Sequence, residues 1–295
     1  MDFRLKVFYS VATNLSFTKA SHELFISQPA ISKHIRELEQ HFETPLFERN
    51  GNKIQLTRAG ELLLSHAQSL LAAYRQLNFE MNLLTNHFSG ELRLGASTTI
   101  SQYVLPPLLA KFMQKFPDIK LSLLSGNSND IERALTEGKI DLGLVEGCAH
   151  LNTLHYEAFM KDELVVITHT SSSLAIHDKL TLEQFRSLPF VLRENGSGTL
   201  QVLESALSEH KIKLSQLNIL IQLGSTESIK LFLANSDTLS VVSIRSVARE
   251  IVAGDFKVID VPDLKMERKF SFVRPLGRNS GLDENFIRFV LRNAT

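Results

Sequence analysis

The apolar residues of this chain change their spacing once, near residue 90, so no single repeating architecture accounts for all 295 residues. Upstream they recur at the helical period, the mark of helices with one buried face. Phe3, Val7, Phe8 and Val11 set a first helix. Ser16 precedes a short second helix, Phe17 to Leu24, as a cap whose hydroxyl accepts an orphan N–H. Phe25-Ile26 makes a tight connection. Ser27 opens a third helix with Pro29 in its first turn, where a missing N–H costs little. Leu46 to Leu56 reads as two short extended pieces around Asn50-Gly51, a hairpin signal. Thr57 then opens a helix to about Phe88, on the order of 45 Å long. Leu62, Leu63, Leu70, Leu71, Leu77, Leu83 and Leu84 recur along it. A small domain cannot cover so long a stripe, which points to a partner chain; packing on the downstream domain is the alternative.

From Glu91 strands and helices alternate. Strands are expected at 91–97, 119–124, 140–145, 163–167, 189–193, 219–223, 239–243 and 270–273. Helices are expected at 104–116, 130–137, 197–210, 225–234, 245–252 and 284–291. This alternation implies a parallel sheet with crossover helices, in two α/β lobes with a cleft between them. The expected divisions are 1–58, 59–90 and 91–295, with lobe I at about 91–161 and 267–295 and lobe II at about 162–266.

Composition narrows the partners. Lys plus Arg number 32 and so do Asp plus Glu, which excludes a globally basic nucleic-acid binder but not a local basic surface. The single cysteine, Cys148, supplies neither an internal disulfide nor a Cys-rich metal site. Charges interrupt Met1-Asp2-Phe3-Arg4-Leu5-Lys6, unlike a signal peptide, and no apolar run approaches the ~20 residues of a membrane helix. A cytoplasmic protein with no membrane partner is expected.

The third helix has two distinct faces. Ile31, Ile35 and Leu38 fall on one side; Gln28, Ser32 and Arg36 fall roughly opposite, with Pro29 and Lys33 beside them. Burying the first face presents the second, as a helix in a major groove requires. Gln pairs with adenine, Arg or Lys with guanine, Pro touches a thymine methyl, and Ser meets a base or a phosphate. Thr18, at a helix start, is placed for a phosphate. The hairpin is a wing that offers Arg49 and Lys53 to the duplex backbone or minor groove. Charge alone does not separate this from a merely solvated face: residues 1–60 hold eight Lys/Arg and six Asp/Glu.

Five ordered blocks carry a resemblance: Phe17-Thr18-Lys19-Ala20, Ser27 to Ser32, Ile35-Arg36-Glu37-Leu38-Glu39, Pro45 to Arg49 and Leu56 to Gly60. Together they resemble the N-terminal signature of LysR-type transcriptional regulators, and the length and α/β remainder fit as well. The resemblance implies an α+β two-part chain. An N-terminal winged helix-turn-helix and a long dimerising linker helix precede a two-lobed, periplasmic-binding-protein-like α/β effector domain. It implies double-stranded DNA as partner, contacted by Thr18, Gln28, Pro29, Ser32, Lys33 and Arg36. It further implies a homodimer through the linker helix, a tetramer on DNA, a small-molecule effector and contact with RNA polymerase. Lys33 stands where many members carry Arg, and lacks the bidentate fork.

Ligands of open α/β sheets sit beyond the carboxyl ends of strands. Four turns there are rich in hydroxyls and glycine: Ser97-Thr98-Thr99, Asn127-Ser128, Gly196-Ser197-Gly198-Thr199, and Gly224-Ser225-Thr226. Each alone also reads as a helix cap. Together, with helix N-terminal N–H groups, they make a trap for a small anion or carboxylate. Arg193 offers a counter-charge, opposed by Glu194 and Glu146. These stretches are similar to the LysR subgroup that includes regulators of sulfite reductase and sulfur assimilation, and partly to carbon-fixation regulators; this implies sulfite, sulfate or a related anion.

The same bilobal fold serves solute-binding proteins and some enzymes, so fold does not decide function. The ten histidines form no His-Glu-x-x-His motif and there is no nucleophile elbow. Cys148 is a small loop residue or a reactive thiol, and His150 and His155 lack a metal-binding constellation. No catalytic residue, cofactor or metal is expected.

Overall fold

The computed structural model describes residues 2–50, 53–84, 89–147, 151–276 and 281–294. The chain divides into two compact units, Met1–His87 and Phe88–Thr295.

The first unit holds α1 (Phe3–Asn14), α2 (Phe17–Leu24), α3 (Gln28–His41), β1 (Phe47–Asn50), β2 (Lys53–Leu56) and α4 (Arg58–Leu84). Each of the first three helices starts at a side-chain cap: Asp2 accepts from Arg4 N–H, Ser16 from Lys19 N–H and Ser27 from Ala30 N–H. These bonds satisfy N–H groups that a helix start leaves orphaned. Phe25 ends α2 at φ 54°, in the left-handed region, and so turns the chain sharply into α3. Val7, Phe8, Val11, Ala20, Ile31, Ile35, Leu38, Leu46 and Ala67 form one core. The hairpin pairs Phe47 with Leu56 and Asn50 with Lys53; Gly51 and Asn52, expected at its tip, lie outside the described residues.

The leucines expected as one stripe on α4 divide into two sets. Leu71 and Ala67 are buried, and Leu63 and Leu64 pack on the helical core. Leu70, Tyr74, Leu77, Met81 and Leu84 are exposed, as is Leu62, about two turns before Leu70. Their 4-3-4-3 spacing is a seam rather than a mixed face. The side chain of Leu83, and residues 85–88, fall outside the described residues.

The second unit runs β3 (Gly90–Ser97), α5 (Leu105–Lys115), β4 (Ile119–Gly126), α6 (Ser128–Thr136), β5 (Leu142–Glu146), β6 (Leu154–His169), α7 (Leu182–Ser187), β7 (Pro189–Arg193), α8 (Gly198–Glu209), β8 (Asn218–Leu223), α9 (Thr226–Leu233), β9 (Ser240–Ser243), α10 (Ile244–Ala253), β10 (Phe256–Ile259), β11 (Glu267–Pro275) and α11 (Leu282–Asn293). Strand order is β10-β6-β11-β5-β3-β4, with β9 also on β6. Among the described residues β4-β3-β5 and β7-β8 pair in parallel, whereas β6, β9, β10 and β11 pair antiparallel. The sheet is therefore mixed rather than parallel throughout. The reason is that β6 and β11 run the chain out of one lobe and back, side by side along Glu267–Pro275.

Three expectations shift. The strand expected at 163–167 begins at Leu154: pairing with β11 extends it, whereas Glu157, Lys161 and Asp162 interrupt the apolar pattern that would mark its first half. The helix expected from Val104 is preceded by a π-turn, Ile100–Val104, in which Leu105 N–H donates to the Ile100 carbonyl. Pro106 and Pro107 follow without N–H groups of their own, so the regular ladder cannot form there. Helix α7 and strand β10 were not expected, although Thr181 and Gln184 make a capping box at the start of α7.

Candidate functional site

In the first unit, packing Ile31, Ile35 and Leu38 inward leaves Gln28, Pro29, Lys33 and Arg36 exposed and Ser32 half-buried. A groove of about 620 Å³ gathers Thr18, Gln28, Ser32, Arg36 and Lys53 from α2, α3 and β2. Pro29 and Lys33 lie outside that lining; Lys33 sits 3.9 Å from Glu37 one turn on. The side chain of Arg49 is outside what is described. Sequence reasoning missed Glu39, which also lines the groove. Its Oε1 accepts from Leu46 N–H at 2.8 Å and Phe47 N–H at 3.3 Å, so α3 holds the root of β1 directly. Glu23 ties α1 to α2 in the same manner, accepting at 2.7 Å from both Ser10 and Asn14.

In the second unit, the four hydroxyl-rich turns meet at the seam between the lobes. Ser97, Thr98, Thr99, Ser128, Ser197, Thr199 and Thr226 are all buried. Asn127 caps α6 with Asp130 in a reciprocal box, and Ser197 caps α8. The lobes touch through polar groups: Asn129 N–H donates to Gly196 O at 3.4 Å, and Arg193 Nη2 to Thr98 Oγ1 at 3.3 Å. Gly196 adopts φ +87° with a would-be β-carbon 3.1 Å from Asn129, and one on Gly198 would be 2.3 Å from Glu146 O. Glycine is thus required where α8 starts against β5.

Arg193 is not a bare counter-charge. Its side chain is 1% exposed and Glu194 takes it bidentately, Nε at 2.8 Å and Nη2 at 2.9 Å. Burial opposes ionisation of Glu194, yet the bonds from Arg193 outweigh it and hold that carboxyl below the usual range. Among the described residues, Arg193 Nη1 and Ser97 Oγ are buried without a hydrogen-bond partner. At the edge of the seam Tyr103, in the π-turn, donates to Glu227 at the start of α9. Burial first, then Glu227, raises the Tyr103 hydroxyl above its ordinary range. Lys230 completes the group, 2.7 Å from Glu227 and 2.5 Å from Glu250. Sequence reading did not find Tyr103 or Lys230; the π-turn that places Tyr103 has no simple sequence signature.

Cys148 and His150 lie outside the described residues, and no described group of three His, Cys, Asp or Glu side chains is arranged to hold a metal ion. No described helix is long and apolar enough to cross a membrane.

Residues 85–295 match the family described as LysR substrate binding domain, and residues 3–61 match bacterial regulatory helix-turn-helix protein, lysR family. The HTH-type transcriptional regulator CysL of Bacillus subtilis is 30% identical over 290 residues, covering 98% of this chain and 96% of CysL. A full-length OxyR variant from Pseudomonas aeruginosa superposes with a TM-score of 0.75 at 17% identity, over 99% of this chain and 93% of that one. The Synechocystis PCC6803 CcmR regulatory domain, in complex with 2-PG, gives 0.63 at 25% identity, over 70% of this chain and 97% of that domain.

Proposed function

This chain belongs to the LysR family of DNA-binding transcriptional regulators with an effector-binding domain, and from that premise we propose how its two units act. The family is one of regulators, not enzymes. Residues 1–58 read DNA as a winged helix-turn-helix, 59–90 link and dimerise, and 91–295 bind an effector. Gln28, Ser32 and Arg36 read base edges, Pro29 and Lys33 flank them, Thr18 holds a phosphate, and Arg49 and Lys53 on the wing meet the backbone. The exposed seam of Leu70, Tyr74, Leu77, Met81 and Leu84 pairs with the same seam of a second copy. Two such dimers form a tetramer on DNA and contact RNA polymerase. The protein works in the cytoplasm.

The effector is a small oxyanion, sulfite or sulfate, bound at the seam by Ser97, Thr98, Thr99, Asn127, Ser128, Gly196, Ser197, Gly198, Thr199 and Thr226. One observation supports this most directly: Ser97 Oγ and Arg193 Nη1 are buried donors left unmatched, and a buried donor without a partner is costly. The resemblance of the surrounding stretches to sulfur-assimilation regulators favours an inorganic anion. The CcmR domain, which is in complex with 2-PG, favours a second reading, the ligand of that domain. Calorimetric titration of the full chain with sulfite, sulfate, thiosulfate and 2-PG separates the two. Heat with the sulfur anions supports the first reading, and heat with 2-PG alone supports the second. Absence of heat with all four removes both.

A further inference from the structure

We propose that Glu194 is a built-in competitor of the effector: its carboxylate occupies the guanidinium of Arg193, an anionic ligand gains that guanidinium only by displacing it, and this exchange sets the affinity of the site. The inference rests on the small-oxyanion reading above and names the group that the ligand displaces.

Arg193 is fixed in the seam. It ends β7, its side chain is 1% exposed, and Nη2 donates across the lobes to Thr98 Oγ1 at 3.3 Å and to Gly224 O at 3.5 Å. A guanidinium offers an oxyanion two edges that give paired bonds, Nε with Nη2 and Nη1 with Nη2. Glu194 fills the first, at 2.8 Å and 2.9 Å. The second shares Nη2, whose protons are taken by Glu194 on one side and by Thr98 and Gly224 O on the other. Those last two acceptors are held by the turns that carry them, and Thr98 itself donates to Gly126 O. Nη1 is left for a first contact, buried and without a hydrogen-bond partner among the described residues. Behind that contact the positive charge is already neutralised.

Glu194, by contrast, has a way out. Its side chain is 27% exposed, a path to water that the guanidinium lacks. It stands in the turn between β7 and α8, two residues before Gly196, whose would-be β-carbon comes 3.2 Å from Asn127 Oδ1. Burial opposes the charge of Glu194, while bonds from Arg193, from its own N–H and from Asn127 favour it. The carboxylate therefore draws on both lobes, Arg193 on one and Asn127 on the other, as an anion bridging the seam would. A rival tethered one residue away acts at high effective concentration, so a free ligand wins only with contacts the rival does not make. Such contacts are open: Glu194 leaves Ser97 Oγ and Arg193 Nη1 unmatched.

The test titrates inorganic sulfate and sulfite, by calorimetry at one salt concentration, into the full chain and into Glu194→Gln, which keeps the size and an acceptor oxygen of the side chain but not its charge. The variant is expected to bind these anions roughly tenfold more tightly, through removal of one close like charge. Heat in the variant where the wild type gives none supports the inference in the same way. A carboxylate that merely orients Arg193 predicts the opposite sign. Unchanged or weaker binding by Glu194→Gln, with wild-type heat present, therefore overturns this inference alone. Glu227→Gln controls for a general field effect, since Glu227 stands at the same seam but pairs with Lys230, 2.7 Å away, instead of Arg193. A gain there equal to that of Glu194→Gln overturns displacement from Arg193. Absence of heat with both anions in all three chains overturns the small-oxyanion reading as well. Should Glu194→Gln not fold, Glu194→Ala is expected to show the same gain and is judged by the same outcomes.

Discussion

Gly60 lets α4 start against the carbonyl oxygen of Leu46: a β-carbon at position 60 would stand 2.1 Å from that oxygen. Thr57 fixes the same approach, its N–H donating to Leu46 O and its hydroxyl to Pro45 O. Gly60→Ala must push backbone apart, an overpacking defect of about 3 kcal/mol. Thermal unfolding of the full chain should show the loss in the transition of the first unit while that of the second stays in place.

Glu39 gives a milder defect in the same region. Glu39→Ala leaves Leu46 N–H and Phe47 N–H without their acceptor, a cost of about 1–3 kcal/mol. Hydrogen exchange at residues 46 and 47 should accelerate, and DNA affinity should fall although Glu39 donates nothing to a phosphate.

Base reading and backbone binding separate by salt. Arg36→Ala or Gln28→Ala is expected to cost about 1–3 kcal/mol of discrimination between the operator and unrelated duplex. Lys53→Ala is expected to weaken both alike and to lower the salt slope by about 1. Gel shifts across a salt series distinguish the two; equal losses on both duplexes for Arg36→Ala would remove α3 from the groove.

The seam on α4 predicts a concentration-dependent assembly. Leu77→Glu puts a charge in its middle, between Tyr74 and Met81. Sedimentation should show a protomer lighter than the wild-type assembly, with the first unit still folded.

Acid stability should depend on Glu194. Its folded-state carboxyl lies below the ordinary range, burial opposing and Arg193 driving the shift. Stability from this pair is therefore present above the unfolded value, at about pH 4.3, and is lost as pH falls through the folded one. Glu194→Gln should flatten the acid limb of the melting curve of the second unit. An unchanged limb counts against the pair.

The sequence was most legible where one residue's chemistry sets local geometry. Ser16 and Ser27 mark helix starts by capping, and Ile31, Ile35 and Leu38 mark a buried face by spacing. It was least legible where tertiary context decides. The 154–162 stretch reads as no strand because Glu157, Lys161 and Asp162 interrupt its apolar pattern; Glu157 and Asp162 find their partners, Arg274 and Arg268, on β11, far along the chain. For the candidate site the turns were visible as Ser, Thr, Asn and Gly at strand ends. The Arg193–Glu194 pairing and the reach of Arg268 to Thr199 were not, since position 268 is 69 residues from its partner.

The pairing of β6 with β11 bears on how the lobes can part. Among the described residues the chain passes between them along these two strands, hydrogen-bonded to each other from Glu267 to Pro275 with a register shift between Phe270 and Ser271. Such a ribbon resists swinging like a gate on loose string; it yields by torsion about its own axis, and the bulge is its softest point. Opening is thus an elastic deformation with a restoring force, and a bound effector acts by setting the resting twist of a spring.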